Sequence, residues 1–437
     1  MSNELPQGWA SARLEEIVTK KKGKKPAILR DTPAAGFVPY LDIHAIEKNV
    51  VRQFAEVKSS KLAAQDDLFV VWDGARSGWV GGGITGAIGS TIMALTAQQA
   101  ESRYIRHFIA SQFQTLNNNT RGTGIPHVDP EIFWNLEVPL APLPEQRRIV
   151  AKLETLLGKV DASQHRLAKI PVLLKRFRQS VLAAACSGRL TADWREENPD
   201  AKPYPAEAVE CEDEFPTIWC ATRLDSLTTL VTSGSRGWAK YYSDSGSTFI
   251  RAQNINSDFL NLDDIAFVRP PASAEGLRTR VQQHDILITI TGANVTKSAL
   301  VEKKIEDAYV SQHVALVRLK DTRLAKFLFH SVVSPAHGRK QLQAAAYGQG
   351  KPGLNLENIR DVVVGLPPLP EQQEIVRRVE GLFALADQLE VRLAKARGQV
   401  DKLTPSLLAR AFAGQLVPQD PTDEPAFILL ENIRLKR

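Results

Sequence analysis

Cysteine is scarce: three residues in 437, Cys186, Cys211 and Cys220. An odd count without C-x-x-C spacing argues against a disulfide framework or a zinc site, and fits a reducing compartment. Long apolar runs are missing, and the longest stretch falls far short of the ~20 residues that span a bilayer. The opening MSNELPQGW is polar and lacks the apolar centre of a signal peptide. The expectation is a cytoplasmic protein with no membrane partner. Neither sign of charge dominates: 55 Lys and Arg stand against 49 Asp and Glu, a net +6. That balance permits a polyanionic partner without demanding one. With 43% hydrophobic and 24% charged residues the chain is of ordinary globular composition, which argues against long disordered tracts. Its length suggests two or three domains.

Catalytic signatures are also missing. Asp285 followed by Glu302-Lys303-Lys304 imitates the acid–acid–lysine pattern of metal-dependent nucleases, but the first half of the chain has no counterpart. Residues 292–298, GANVTKS, resemble a phosphate-binding loop, yet Thr296 replaces the glycine before Lys297. No Asn-Pro-Pro-aromatic segment is present, and Asn198-Pro199-Asp200 reads as a turn. The eight histidines form neither H-E-x-x-H nor H-x-E…C-x-x-C. No catalytic residue and no metal site is expected in this chain.

What is present is a repeat. Residues 142–154, PLPEQRRIVAKLE, and 368–380, PLPEQQEIVRRVE, are identical at eight of thirteen positions, 226 residues apart. The same offset aligns Gly122, Gly124 and Pro126 with Gly348, Gly350 and Pro352, and Ser180, Leu182, Gly188 and Leu190 with Ser406, Leu408, Gly414 and Leu416. Further back, Pro6, Trp9, Arg13 and Leu14 match Pro216, Trp219, Arg223 and Leu224 at an offset of 210. The middles share only short echoes, such as Asp67/Gly74 against Asp285/Gly292. Two copies of one scaffold with different inserts suggest two related binders with different targets.

Pro144 and Pro370, each followed by a glutamate, mark helix starts. Beyond them apolar residues recur every 3.5 positions: Ile149, Leu153, Leu156, Val160, Leu167, Ile170, Leu174 and Phe177 in one copy. The other copy has Ile375, Val379, Leu382, Ala386, Leu389, Leu393, Ala396, Val400 and Leu403. A helix packed on its own domain gives such a seam too. Two matching seams favour an antiparallel pair, with Ile149, Leu153, Leu156, Val160 and Leu167 facing Ile375, Val379, Leu382, Leu389 and Leu393. Ser163 interrupts the first seam, and Pro171 is expected to kink or end that helix. About 30 residues of helix make a rod of roughly 45 Å, against about 34–36 Å for one turn of DNA.

The fold expected is α+β: two mixed α/β domains separated by long helices forming an antiparallel coiled coil, with an internal quasi-twofold repeat. The boundaries read as recognition domain 1–141, helical region 142–190, linker 191–212, recognition domain 213–367, helical region 368–418 and tail 419–437. Strand-like runs such as 67–72 and 285–290, each followed by a Gly turn, support mostly antiparallel sheets.

Candidate DNA contacts sit in the loops of these domains. Lys20, Lys21, Lys22, Lys24 and Lys25 form a basic loop suited to phosphates; the alternative is a solvated charge run. Asn118, Asn119 and Arg121 precede one Gly-x-Gly turn, and Tyr347, Gln349 and Lys351 lie in the other. Asn and Gln pair with adenine, and Arg and Lys with guanine. Arg76 and Asn294 follow the two strand-end glycines. Arg236, Lys240 and Tyr241 mix charge with aromatics, and Arg251, Gln253 and Asn254 follow a strand-like segment.

The duplicated P-L-P-E-Q helix starts at 142–146 and 368–372, the Gly-x-Leu closures at 188–190 and 414–416, and the Trp9 and Trp219 starts resemble the specificity subunits of type I restriction-modification systems. The resemblance covers nearly the whole chain. It implies a non-catalytic subunit that binds a split, asymmetric site in double-stranded DNA, one recognition domain to each half. It also implies docking of two methyltransferase subunits and then of two restriction-translocase subunits. S-adenosylmethionine, ATP and Mg would belong to those partners, with no cofactor in this chain. Two other readings remain: an autonomous nuclease built on Asp285, Glu302 and Lys304, and a protein scaffold that never touches DNA.

Overall fold

A computed structural model describes every residue except 1–4, 123, 212–213, 235, 257, 271–273, 349–351 and 437. The chain forms two compact units, and neither is a continuous segment. Unit 1 is residues 1–168 with 394–437, and unit 2 is residues 169–393.

Unit 1 is built on a four-stranded antiparallel sheet. Its strands run in the order Val18–Lys22, Ile92–Ala97, Leu68–Val71, Val80–Gly82. A second sheet of five short strands includes one parallel pairing, Tyr40 opposite Ala87. Strand Ala10–Arg13 pairs with Glu137–Leu140, which carries the chain straight into the first long helix. The core gathers Trp9, Leu14, Leu68, Leu95, Tyr104 and Phe108 with Ile149 and Leu153 of that helix and Leu408, Leu430 and Ile433 from the C-terminal part of the chain. Ile149 and Leu153 thus pack on their own domain, not on a partner helix, because the first two turns lie directly against the sheet.

Unit 2 repeats the plan. Its main sheet runs Thr228–Ser233, Val314–Leu319, Ile286–Thr289, Ser298–Leu300. The order is that of unit 1, with one bulge between Thr228 and Leu230. A second four-stranded sheet again contains one parallel pair, Thr248 opposite Ala308. Ile375 and Val379 pack into this core beside Trp219, Phe327 and Leu328.

The repeated P-L-P-E-Q segment has a structural reason in each unit. Trp9 Nε1 donates to Glu145 at 3.1 Å, and Trp219 Nε1 donates to Glu371 at 2.9 Å. The following glutamine turns back on the strand it has just left: Gln146 Nε2 to Ala141 O and Gln372 Nε2 to Pro367 O, both 2.8 Å. The Gly-x-Leu closures lie against the matching prolines. A Cβ on Gly414 would fall 2.4 Å from Cγ of Pro6, and one on Gly188 would fall 2.5 Å from Cγ of Pro216, both at positive φ. Each unit is therefore closed by the helical tail of the other sequence repeat.

The first long helix runs Leu143–Cys186 and the second Leu369–Asp401. Within unit 1 they meet antiparallel, Gln164 on Asp401 at 3.1 Å and Arg397 on the Leu167 carbonyl at 3.0 Å. Within unit 2 Arg178 reaches Asp387 and Glu390. Contrary to the expectation, Pro171 does not end the first helix. Proline leaves the carbonyl four residues back without its helical donor. That carbonyl belongs to Leu167, and Arg397 supplies the missing hydrogen bond. Ser163 donates to Lys159 O at 2.8 Å, so its hydroxyl is satisfied within the helix. Leu393 is buried, Leu156, Val160, Leu167 and Leu382 are buried or half-buried, and Leu389 is 39% exposed. Leu389 is thus outside the seam, while Ala386, the seam position before it, is fully buried.

Candidate nucleic-acid interface

Both units carry the same loop junction at the end of the sheet. In unit 1 the turn after strand Leu68–Val71 is held by Gly74 N donating to Pro126 O at 2.8 Å and Gly78 N donating to Val71 O at 2.8 Å. In unit 2 Gly292 N donates to Pro352 O at 3.0 Å and Thr296 N to Thr289 O at 2.9 Å. An isolated bridge joins Asp73 to His127 in the first and Thr291 to Gly353 in the second. Pro126 and Pro352, which match in the sequence repeat, are thus the clamps of this junction. The side chains on it differ. Unit 1 places Trp72, Asp73 and Arg76 where unit 2 places Ile290, Thr291 and Asn294.

Lys20, Lys21 and Lys22 form a strand rather than the expected loop, because each pairs with strand Ile92–Ala97. The pleat sends alternate lysines to opposite faces. Lys20 Nζ lies 4.5 Å from the ring centre of Trp134, and Lys22 Nζ 5.7 Å from that of Trp72. Trp72 and Trp134 stack at 5.7 Å. Lys21, on the other face, donates to Leu62 O. Lys24 and Lys25 follow the strand and are exposed. Lys22 also reaches Asp73 at 2.7 Å, and His127 Nδ1 lies 2.8 Å from the other oxygen of the same carboxylate.

Other candidates are already engaged. Arg121 is bound by Asp129 at 2.6 Å and Glu131 at 3.1 Å, which raise its pKa by hydrogen bonding and charge. Asn118 ends a short helix and is exposed, while Asn119 donates to Thr115 O at 2.8 Å. Arg76 is half exposed and pairs with Glu47 at 3.2 Å. In unit 2, Asn254 is not a free donor. It is buried, with its amide shared between the carbonyls of Asn261 and Asp264 and its oxygen on Arg251 N. Arg251 and Gln253 converge on Asp264 at 3.1 and 2.8 Å. The three therefore shape a loop, because a turn without regular pairing needs side chains to satisfy its backbone. Arg236 and Lys240 are exposed, and Lys240 lies over Tyr241 at 5.0 Å. Trp238, in the same segment, is packing: it is buried and stacked on Phe249 at 5.7 Å. Asn294 donates to Ala252 O at 3.4 Å, Tyr347 is exposed, and Gln349 and Lys351 lie outside the described residues.

The first acid of the nuclease-like pattern is tied into the fold. Asp285 is buried, accepts from Gln282 N and pairs with Arg318 at 2.7 Å, and burial pushes its pKa up. Asp67, its counterpart, accepts from Ala64 N and Thr96 Oγ1. Among the described residues no group of His, Cys, Asp or Glu is placed to hold a metal ion. Nor, among them, is any helix long and apolar enough to cross a membrane.

The family model for the type I restriction modification DNA specificity domain matches residues 6–172 and 268–395. The chain belongs to that family. It is a DNA-specificity subunit, the recognition component and not the catalytic one, and its two recognition units fit a bipartite DNA site. It is 30% identical to the type I restriction enzyme EcoBI specificity subunit of Escherichia coli over 84% of this chain and 77% of that one. It is 28% identical to the EcoKI specificity subunit of Escherichia coli strain K12 over 99% and 94%. Two solved structures share its fold. One, from work on assembly and conformational transition of the type I R-M system, has a TM-score of 0.69 at 19% identity, covering 94% of this chain and 99% of that one. The other, the HsdS subunit from Thermoanaerobacter tengcongensis, has a TM-score of 0.58 at 20% identity, covering 94% and 98%.

Sequence reasoning missed Asp73, His127, Trp72 and Trp134. The signal was the Asp67/Gly74 echo of Asp285/Gly292: extended by alignment of the two strands, it places Asp73 opposite Thr291.

Proposed function

We propose that unit 1 and unit 2 each read one half of a split DNA sequence, and that the chain brings two methyltransferase subunits to it, with two restriction-translocase subunits joining in turn. S-adenosylmethionine, ATP and Mg serve those partners, and the assembly works in the cytoplasm. The observation that carries this reading is the junction present in both units: one hydrogen-bond skeleton, two different sets of side chains. A common scaffold with exchanged surface groups is what two readers of unlike sequences require, since base contacts specify while backbone contacts position. Lys20, Lys21, Lys24, Lys25, Arg236 and Lys240 supply the phosphate contacts. Arg76, Asn118, Asn119, Asn294 and Tyr347 are the candidates for base contact, together with Gln349 and Lys351, which lie outside the described residues.

The docking surface for the methyltransferases is the outer face of the long helices. Val172 and Leu173 on the first, and Leu385 and Val391 on the second, are exposed apolar side chains within unit 2. Exposed apolar side chains on a helix pair suit a protein partner.

The test is DNA binding by the complex of this chain with its methyltransferase, titrated with salt. With six or more phosphates neutralised, affinity is expected to fall by roughly a thousandfold or more between about 50 and 200 mM salt. An intact complex with no DNA binding at low salt would leave the chain a protein scaffold.

A further inference from the structure

The loop junction of unit 1 holds a cluster that unit 2 lacks. Asp73 is gripped at both oxygens, by Lys22 Nζ at 2.7 Å and by His127 Nδ1 at 2.8 Å. Strand pairing sets Lys22 opposite Met93 and Ser233 opposite Ala315, so Ser233 holds the place of Lys22. Thr291 holds that of Asp73 and Gly353 that of His127. Three charged or titratable groups become three small neutral ones on the same backbone. Unit 2 closes its junction, with the same bridge and the same Gly-to-Pro hydrogen bond, without any of them. The backbone closure is thus common to both units and the charged cluster is not, unit 2 setting only His313 Nδ1 3.1 Å from Thr291 Oγ1 at this place. The cluster also faces water: the side chains of Lys22, Asp73 and His127 are 38%, 21% and 47% exposed.

We infer that Lys22, Asp73 and His127 form the base-reading centre of unit 1, directed at the major-groove edge of an adenine; the inference rests on the DNA-reading function proposed above. A carboxylate facing Nδ1 keeps the proton on that nitrogen, so in the neutral ring Nε2 carries the lone pair and accepts. Lys22 gives one N–H to Asp73 and keeps two. The cluster thus presents an acceptor beside a donor. Adenine offers the complement on one base, the N6 amino group as donor and N7 as acceptor, whereas guanine shows two acceptors there. Asp73 is the positioning residue: it sets the imidazole tautomer and holds the ammonium beside it. A bare carboxylate at this place would repel the phosphates, but here its charge is matched by Lys22.

The test maps methylated adenines in DNA from cells that make the full complex with this chain or a variant, alongside melting of the purified complexes. His127→Ala and Lys22→Ala are expected to relax one and the same position of one half-site, each by roughly ten- to hundredfold in discrimination. The other half-site and the melting temperature are expected to stay unchanged. Asp73→Asn preserves the shape of the side chain and is expected to relax that position too. The assignment is overturned if the variants keep every position of the motif and weaken binding uniformly. It is equally overturned if both half-sites are lost together with a lowered melting temperature, which would make the cluster a structural brace. A chain that directs no motif even without substitution would remove the DNA-reading function itself, a failure visible before any variant is compared.

Discussion

Glu145 and Glu371 occupy the same place in the two units, yet their surroundings differ. Glu371 accepts from Trp219, from Thr191 Oγ1 at 2.7 Å and from Arg195. Glu145 accepts from Trp9 through one oxygen, while the other is buried with no hydrogen-bond partner among the described residues. Burial pushes the Glu145 carboxyl above its usual value, against the hydrogen bond from Trp9. Loss of charge should therefore matter at one site and not at the other. Glu371→Gln is expected to destabilise unit 2 by about 2–4 kcal/mol, because it leaves the half-buried Arg195 without its counter-charge. Glu145→Gln keeps an acceptor for Trp9 and is expected to change stability by less than about 1 kcal/mol. Urea unfolding of the two variants at neutral pH measures the contrast. At this scale the sequence revealed which residues repeat but not what they touch. Trp9, Glu145 and Gln146 were legible as a motif because each recurs in the second copy, as Trp219, Glu371 and Gln372, although the Trp-to-Glu separation grows from 136 to 152 residues. Asn254 was misleading because a polar side chain in a loop looks the same whether it faces solvent or satisfies a turn.

The helices show the same limit at the next scale up. Their starts, the length of the second and their antiparallel pairing followed from Pro-Glu and the 3.5-residue seam, whereas the first runs for 44 residues against about 30 expected. The continuity of the first helix through Pro171 did not, since it depends on Arg397, 226 positions further along the chain. Within a helix interior proline costs about 3 kcal/mol; here the Arg397–Leu167 hydrogen bond offsets part of that. Pro171→Ala restores an N–H to the Leu167 carbonyl and is expected to stabilise the helix by about 1–2 kcal/mol. Slower amide hydrogen exchange for residues 167–175 would show it. Unchanged or faster exchange would mean that the helix gains nothing from the restored hydrogen bond. The strand identity of Lys20–Lys22 was hidden for a related reason: a run of lysines carries no alternation, and only pairing with Ile92–Ala97 makes it a strand.

For the whole molecule the repeat proved the most informative feature of the sequence. It implied two units, and the chain does form two, but they do not follow the linear repeats. Each takes its closing helical segment from the other copy, through Gly188 on Pro216 and Gly414 on Pro6. The measurement that bears most directly on the function is the methylated-adenine motif of cells carrying this chain with residues 1–140 exchanged for those of a relative, compared with the parent chain. One half of the split motif is expected to change while the other half stays as it was. A change in both halves, or in neither, would contradict two independent reading units.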